Sequence, residues 1–283
     1  MKNIKRSYFV FLSALALLWL LAERVFGTQQ GVPGFQDSII YCTGILAIGC
    51  MTREHILPQW LASEVEMPGV SLKHYRHDET EQRDDLLRDH SLKTFVVKNV
   101  CATCNNGWMS RLEAQSKPIL SGLMNLRSTL LQLSDGDRAT IAAWAIKTAF
   151  MIASAQETKM DLPWHLFRHL AGPPTDYPNE CAVVAAQLPI TTGFLYACPT
   201  DTPTPGGPPC QVRVGLTVRH LHFVVVIPLI EGDRMIRTSG FHIPLWPLES
   251  EILVRYQCFP TITDPTKLIN FLTGLVEAGI RQR

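Results

Sequence analysis

Charge is what this 283-residue chain has least of: charged residues make up 18% of it, against about 25% in soluble proteins generally. Neither sign dominates, with 26 basic and 25 acidic residues and a net charge of +1, so no global basic field announces a nucleic-acid binder. Apolar residues at 46% exclude a disordered tail protein, which could not bury enough surface to fold. The 18 glycines and 19 prolines follow no period, which excludes a collagen, and no internal repeat or heptad pattern supports a solenoid or coiled coil. Long apolar runs are scarce as well. Beyond the first 27 residues nothing approaches a transmembrane helix, and the stretch Phe223–Ile230 is strand-length. The length suits one large domain or two ordinary ones. What the chain does have is eight cysteines, in a sequence far too long for a small disulfide-stapled module.

Residues 1–27 stand apart. Lys2, Lys5 and Arg6 precede an apolar run from Tyr8 to Ala22, closed by Glu23 and Arg24. A basic start and a run of this length mark a signal peptide, with Val25-Phe26-Gly27 as its cleavage site. A stretch over residues 4–26 also suits a signal anchor in contact with a membrane, with the remainder of the chain outside the cytoplasm. The third reading is a wrongly chosen start codon, which leaves the protein cytoplasmic. Export, anchoring and a start-site artefact all stay open at this point.

Further along, residues 71–92 are strongly polar and read as a solvated excursion. Thr94–Val100 is rich in β-branched residues and reads as a strand. From Trp108 to about Met124 a helical pattern places Trp108, Leu112 and Gln115 on one face, with a kink expected at Pro118. Ser134-Asp135-Gly136-Asp137 reads as a capping box opening a long helix to about Ala155. Its buried stripe is Ile141, Trp144, Ala145, Thr148, Met151 and Ile152. A short helix over Pro163–Leu170 ends at Gly172-Pro173-Pro174. The texture then turns to strands near 181–188, 193–198, 210–218 and 220–230, followed by a strand at Ile252–Tyr256 and a closing helix over Pro265–Ile280. The class is α+β: a small cysteine-bearing module, a helical middle and a β-rich C-terminal part.

The chemistry sits in two runs, Glu54-His55 within TREHILPQWL and Cys101–Glu113, CATCNNGWMSRLE. Two thiolates at C-x-x-C spacing present both sulfurs to one tetrahedral zinc. An asparagine directly after the second cysteine both caps a helix and points an amide oxygen at a divalent metal. Glu-His adds a carboxylate for a hard cation beside an imidazole that takes a proton from water near neutral pH. The competing readings are plainer: buried or redox thiols at Cys101 and Cys104, a histidine packed under Trp60, and an N-cap at Asn105. Trp60 and Trp108 read as core plugs of a small module.

Over roughly residues 39–115 these runs resemble the HNH endonuclease superfamily, in its zinc-stabilised form with E-H-x-x-P-x-W followed by C-x-x-C-N-x-G-W. The resemblance implies a ββα-metal (HNH) zinc finger module over 39–125, and residues 134–283 form the remaining helical and β-rich part. It implies phosphodiester hydrolysis of nucleic acid, DNA ahead of RNA, with Mg²⁺ or Mn²⁺. By the same resemblance His55 is the general base, and Glu54 and Asn105 hold the catalytic ion, with Asn106 as the alternative to Asn105. Cys101, Cys104 and Cys42 hold a structural Zn²⁺. Ile39 stands where the first thiolate of the upstream pair belongs, and Cys50 becomes the fourth ligand if residues 44–49 loop back. The middle asparagine of the pattern has Asn99 as its nearest counterpart.

Between Thr52 and Gln115 there are eight basic and ten acidic residues, so any phosphate-binding surface has to be local. Arg53, Lys98 and Arg111 are its candidates, with Lys93 beside them. His74, His77 and His90 read as solvated, His220 and His222 share a strand face, and His242 reads as structural. In an exported chain Cys198 and Cys210 would pair across the Pro-rich loop 199–209. Three classes result: an HNH-type endonuclease, a catalytically inactive zinc-binding or nucleic-acid-binding module on the same scaffold, and an exported thiol-rich protein.

Overall fold

The structure, a computed structural model, describes the backbone of residues 51–65, 72–78, 83–156, 160–188, 194–202, 207–230, 233–239, 242–247, 253–255 and 277–281. Side chains are described for all of these except residues 51, 72–78, 83–90, 233–239, 253–255 and 277–281. The leader, Cys42 and Cys50 lie outside the described residues. Among the described residues no helix is long and apolar enough to cross a membrane.

Strand β1 (Met51–His55) pairs antiparallel with β4 (Val96–Cys101). The long connection between them carries α1 (Gln59–Val65) and a second antiparallel pair, β2 (Leu72–Asp78) with β3 (Arg83–His90). The polar stretch read as a solvated excursion is therefore a two-stranded ribbon. Its register sets Lys73 opposite Asp89, Arg76 opposite Asp85 and Asp78 opposite Arg83. Charged residues thus occupy paired positions where an apolar alternation would otherwise have announced the strands.

Chain leaving β4 turns at Ala102–Cys104, makes a π-helical turn over Asn105–Met109 and continues as α2 (Ser110–Met124). The break in helical geometry falls at Gly107, with φ −95° and ψ −108°. Pro118, the position of the expected kink, lies inside this helix. The paired strands β1 and β4 and the helix α2 are thus joined in that order, with α1 and the β2–β3 pair inserted between the two strands.

Helix α3 (Asp135–Ser154) begins where the sequence placed it: the Ser134 hydroxyl oxygen accepts from the Asp137 amide at 3.2 Å. Its burial is not a stripe, because residues 141–153 are buried all the way round, as befits a helix enclosed by other elements. Trp144 packs against Phe223, ring centroids 5.8 Å apart. Helix α3 lies against α2 on one side and the C-terminal sheet on another. With α4 (Trp164–His169) it builds an aromatic cluster: Phe150 meets Trp164 and Phe167, and Phe167 meets Trp108 edge-on at 5.2 Å. Trp108 is therefore a core plug, and Trp60 packs partly buried against the same core. Ser134→Ala removes one cap from a helix otherwise fixed by packing. It should lower the unfolding free energy by about 1 kcal/mol, read as a shift in the urea midpoint with an unchanged slope.

The C-terminal strands are β5 (Ala182–Gln187), β6 (Phe194–Ala197), β7 (Thr200–Asp201), β8 (Gln211–Val218), β9 (Leu221–Pro228), β10 (Asp233–Ser239), β11 (Ile243–Trp246), β12 (Leu253–Arg255) and β13 (Glu277–Arg281). An antiparallel sheet runs β11-β5-β9-β8-β6, with β7 also on β8. Alternate residues of β9 divide between two interiors: Leu221, Phe223, Val225 and Ile227 join the main core, while Val224 and Val226 join Ala182 and Val184 in a second cluster. This is the two-residue period of a strand buried on both faces. A smaller sheet runs β12-β10-β13. The helix expected over Pro265–Ile280 is described only from residue 277, where the chain is strand β13. Helices and largely antiparallel sheets together make the class α+β.

Candidate functional site

Strand β1 sends Glu54 and His55 to opposite sides, as successive strand residues must go. Glu54 points inward and is 5% exposed. There its carboxylate meets Lys147 of α3, Oε1 to Nζ 2.5 Å. The same Nζ lies 2.7 Å from Oε1 of Glu113 on α2, and the Lys147 side chain is 0% exposed. Burial raises the Glu54 carboxyl above its usual range, against the pull of Lys147. For Lys147 burial acts to lower the value, but Glu54 and Glu113 outweigh it and hold the ammonium above its usual range. The lysine is a cation inside the protein, held by two acids from two other elements.

His55 is half-buried at the end of β1. Its Nε2 lies 3.3 Å from Nε2 of Gln59, one turn on in α1, and its Nδ1 is buried with no hydrogen-bond partner. The Gln59 amide nitrogen is a donor, so in this contact His55 Nε2 is the acceptor. Asn105 is tied to the same strand: its Nδ2 donates to Thr52 Oγ1 at 3.1 Å, and that hydroxyl donates to the Val100 carbonyl at 3.2 Å. The Asn105 amide oxygen is the atom left for a ligand. Asn106 is exposed, and Asn99 keeps a buried side-chain oxygen without a partner.

Arg53, Lys98 and Arg111 are all exposed. Because Thr52 pairs with Val100 and Glu54 with Val97, Arg53 stands opposite a bulge made of Lys98 and Asn99. Two exposed basic residues thus lie at facing positions of the strand pair that carries His55. Lys117 of α2 stands over the Trp60 ring, its Nζ 5.4 Å from the centroid.

The cysteines divide differently from expectation. Cys101 is disulfide-bonded, and its sulfur accepts from the Cys104 backbone amide at 3.3 Å. Cys104 is buried and is not in a disulfide. A disulfide sulfur offers zinc no thiolate, so Cys101 and Cys104 fit a zinc ion only after reduction. Cys198 and Cys210, expected to pair in an exported chain, are not joined in a disulfide. Burial pushes the Cys198 thiol up to about 12, which makes it an unreactive sulfur.

The catalytic ion meets a similar obstacle. Of its two expected ligands Asn105 is accessible, whereas the Glu54 carboxylate is taken by Lys147, so the pair does not fit a divalent ion in this arrangement. Among the described residues no group of three or more His, Cys, Asp or Glu is placed to hold a metal.

A second titratable cluster lies in the C-terminal sheet. His222 is fully buried, its Nδ1 2.8 Å from Thr217 Oγ1, and its ring centroid lies 5.7 Å from that of His242. His220 falls instead in the turn before β9 and reaches the Leu188 carbonyl through Nδ1 at 3.1 Å. Burial, reinforced by His242, holds His222 well below 6.5, and burial brings His242 to about 4. Both rings are therefore neutral in the folded state at pH 7. A folded-state value below the unfolded one gives stability that is full above pH 6.5 and is lost as pH falls toward 4. For His242 the difference amounts to about 3 kcal/mol. A denaturation series from pH 7 to pH 4 should show this decline, and His242→Gln should flatten it.

Sequence reasoning missed Lys147, Glu113, Thr52 and Gln59. Lys147 had a signal: it is the one charged residue in the stretch Ala139–Ser154, and a lysine in so apolar a helix needs a buried acid. Set against models of known families, curated proteins and solved structures, the chain matches none of them.

Proposed function

We propose that the chain is an HNH-type endonuclease that hydrolyses phosphodiester bonds in nucleic acid, DNA ahead of RNA. The observation that carries this reading is the path of the chain around β1. His55 ends β1, β4 pairs with it, and β4 leads directly into the turn whose Asn105 bonds back to Thr52. The order of strand, strand and helix, with the histidine on the first and the asparagine at the entry to the last, is what the sequence resemblance calls for.

In this reading Gln59 releases His55 Nε2, which takes the proton from the attacking water while the leaving sugar oxygen is protonated by solvent. Arg53 and Lys98 hold the backbone phosphates on the exposed side of the same strand pair. Asn105 orients a group at the reacting phosphate through its amide oxygen. With Glu54 engaged by Lys147, no step is assigned to a metal ion. The test is nicking of supercoiled plasmid by the full chain in Mg²⁺ or Mn²⁺, compared with His55→Ala.

A second reading, a non-catalytic module on the same scaffold, is favoured by one observation, Lys147 on Glu54. In it the cysteines serve a structural zinc and the surface binds nucleic acid without cutting. The reduced chain should then take up about one equivalent of zinc and the oxidised chain none, measured by metal analysis after gel filtration. DNA would be retained and left intact.

A further inference from the structure

A lysine that is 0% exposed cannot keep its charge unaided, because an isolated ammonium in an apolar interior sheds its proton. Lys147 keeps it by standing between two carboxylates, with Glu54 Oε1 and Glu113 Oε1 both within 2.7 Å of one nitrogen. Three elements, β1, α2 and α3, converge on that atom. Carboxylate oxygens converging from separate elements on one point are also how proteins hold a hard divalent ion, at about 2.0–2.6 Å per oxygen. Here the point is filled by the chain's own ammonium. Two carboxylates and one ammonium leave the cluster with at most one negative charge. A divalent ion could enter only by driving a buried lysine out of its salt bridges.

We propose that Lys147 is the resident cation of this site: it occupies the position between Glu54 and Glu113 that a divalent ion would otherwise take, so Glu54 is a structural anchor of β1 and not a ligand of an exchangeable metal. This refines the role of Glu54 within the proposed nuclease site, yet it does not depend on cleavage. A chain that cuts no nucleic acid leaves it standing, because the readout is ion binding.

The test is Mn²⁺ titration of the full chain, followed by the electron paramagnetic resonance of free Mn²⁺, on wild type, Glu54→Gln, Lys147→Met and the double variant. Methionine ends one atom short of the lysine nitrogen, so the place of the ammonium is left open between two acids. Wild type and Glu54→Gln should bind Mn²⁺ within twofold of each other, or neither should bind it. Lys147→Met should gain a Mn²⁺ at least tenfold tighter than any in wild type, and the double variant should lose it. A Lys147→Met chain that folds only with Mn²⁺ present is the same gain. Loss of tenfold or more in Mn²⁺ affinity on Glu54→Gln alone would overturn the proposal. So would a folded Lys147→Met chain that gains nothing. Should Lys147→Met stay unfolded at every Mn²⁺ concentration, the wild-type and Glu54→Gln pair decides by itself.

Discussion

Lys147→Met should lower the unfolding free energy by about 3–5 kcal/mol, the usual consequence of removing one partner from a buried ion pair. Against a total of about 5–15 kcal/mol for a native protein, that is a large fraction from a change of nearly equal volume. The loss comes less from the missing attraction than from what remains: Glu54, 5% exposed, and the inner oxygen of Glu113 with no cation between them. Two consequences separate this cause from a packing defect. Pairing Lys147→Met with Glu54→Gln should recover part of the loss, because a neutral amide replaces the stranded charge. Acid should recover part as well. Burial already raises the Glu54 carboxyl with the lysine present, and a carboxyl raised in the folded state stabilises most at low pH and least once pH has risen through its folded value. The deficit of Lys147→Met should therefore be smaller at pH 5 than at pH 7. Urea denaturation of the four chains at the two pH values measures all of this.

The other large effect falls on activity. Under the proposed function, His55→Ala should slow cleavage by about 10²–10⁴-fold, the range associated with a positioned general base. Stability should change little, since His55 is half-buried and its one described hydrogen bond, to Gln59, lies at the surface. That contrast gives the pair of variants its use. Loss of Lys147 unfastens β1 from α3, whereas loss of His55 leaves the fastening intact and removes only the imidazole.

Much of the fold could be read before the structure. Ser134 announced α3 because a capping serine is a local signal, and the β-branched runs at 181–188 and 210–230 announced the sheet because two-residue alternation and buried valines are local too. The ribbon β2–β3 was hidden because its register sets charged residues at paired positions, such as Lys73 and Asp89, and charge alternation in a single strand resembles a solvated loop. The candidate site was half legible. His55 and Asn105 could be named from motif spacing, and the structure joins Asn105 to β1 through Thr52. The partner of Glu54 could not be named, because Lys147 lies in another element far along the chain and only folding brings them together. Spacing also says nothing of oxidation state, so Cys101, read as a thiolate, is found in a disulfide.

The central proposal, hydrolysis by the His55 strand, is tested most directly by single-turnover nicking of supercoiled plasmid in Mg²⁺ or Mn²⁺. Wild type and His55→Ala of matched thermal stability are compared side by side. Nicked product that accumulates with wild type and forms about 10²–10⁴-fold more slowly with His55→Ala is the expected result. Plasmid left intact by wild type, or cut equally fast by both chains, would contradict it.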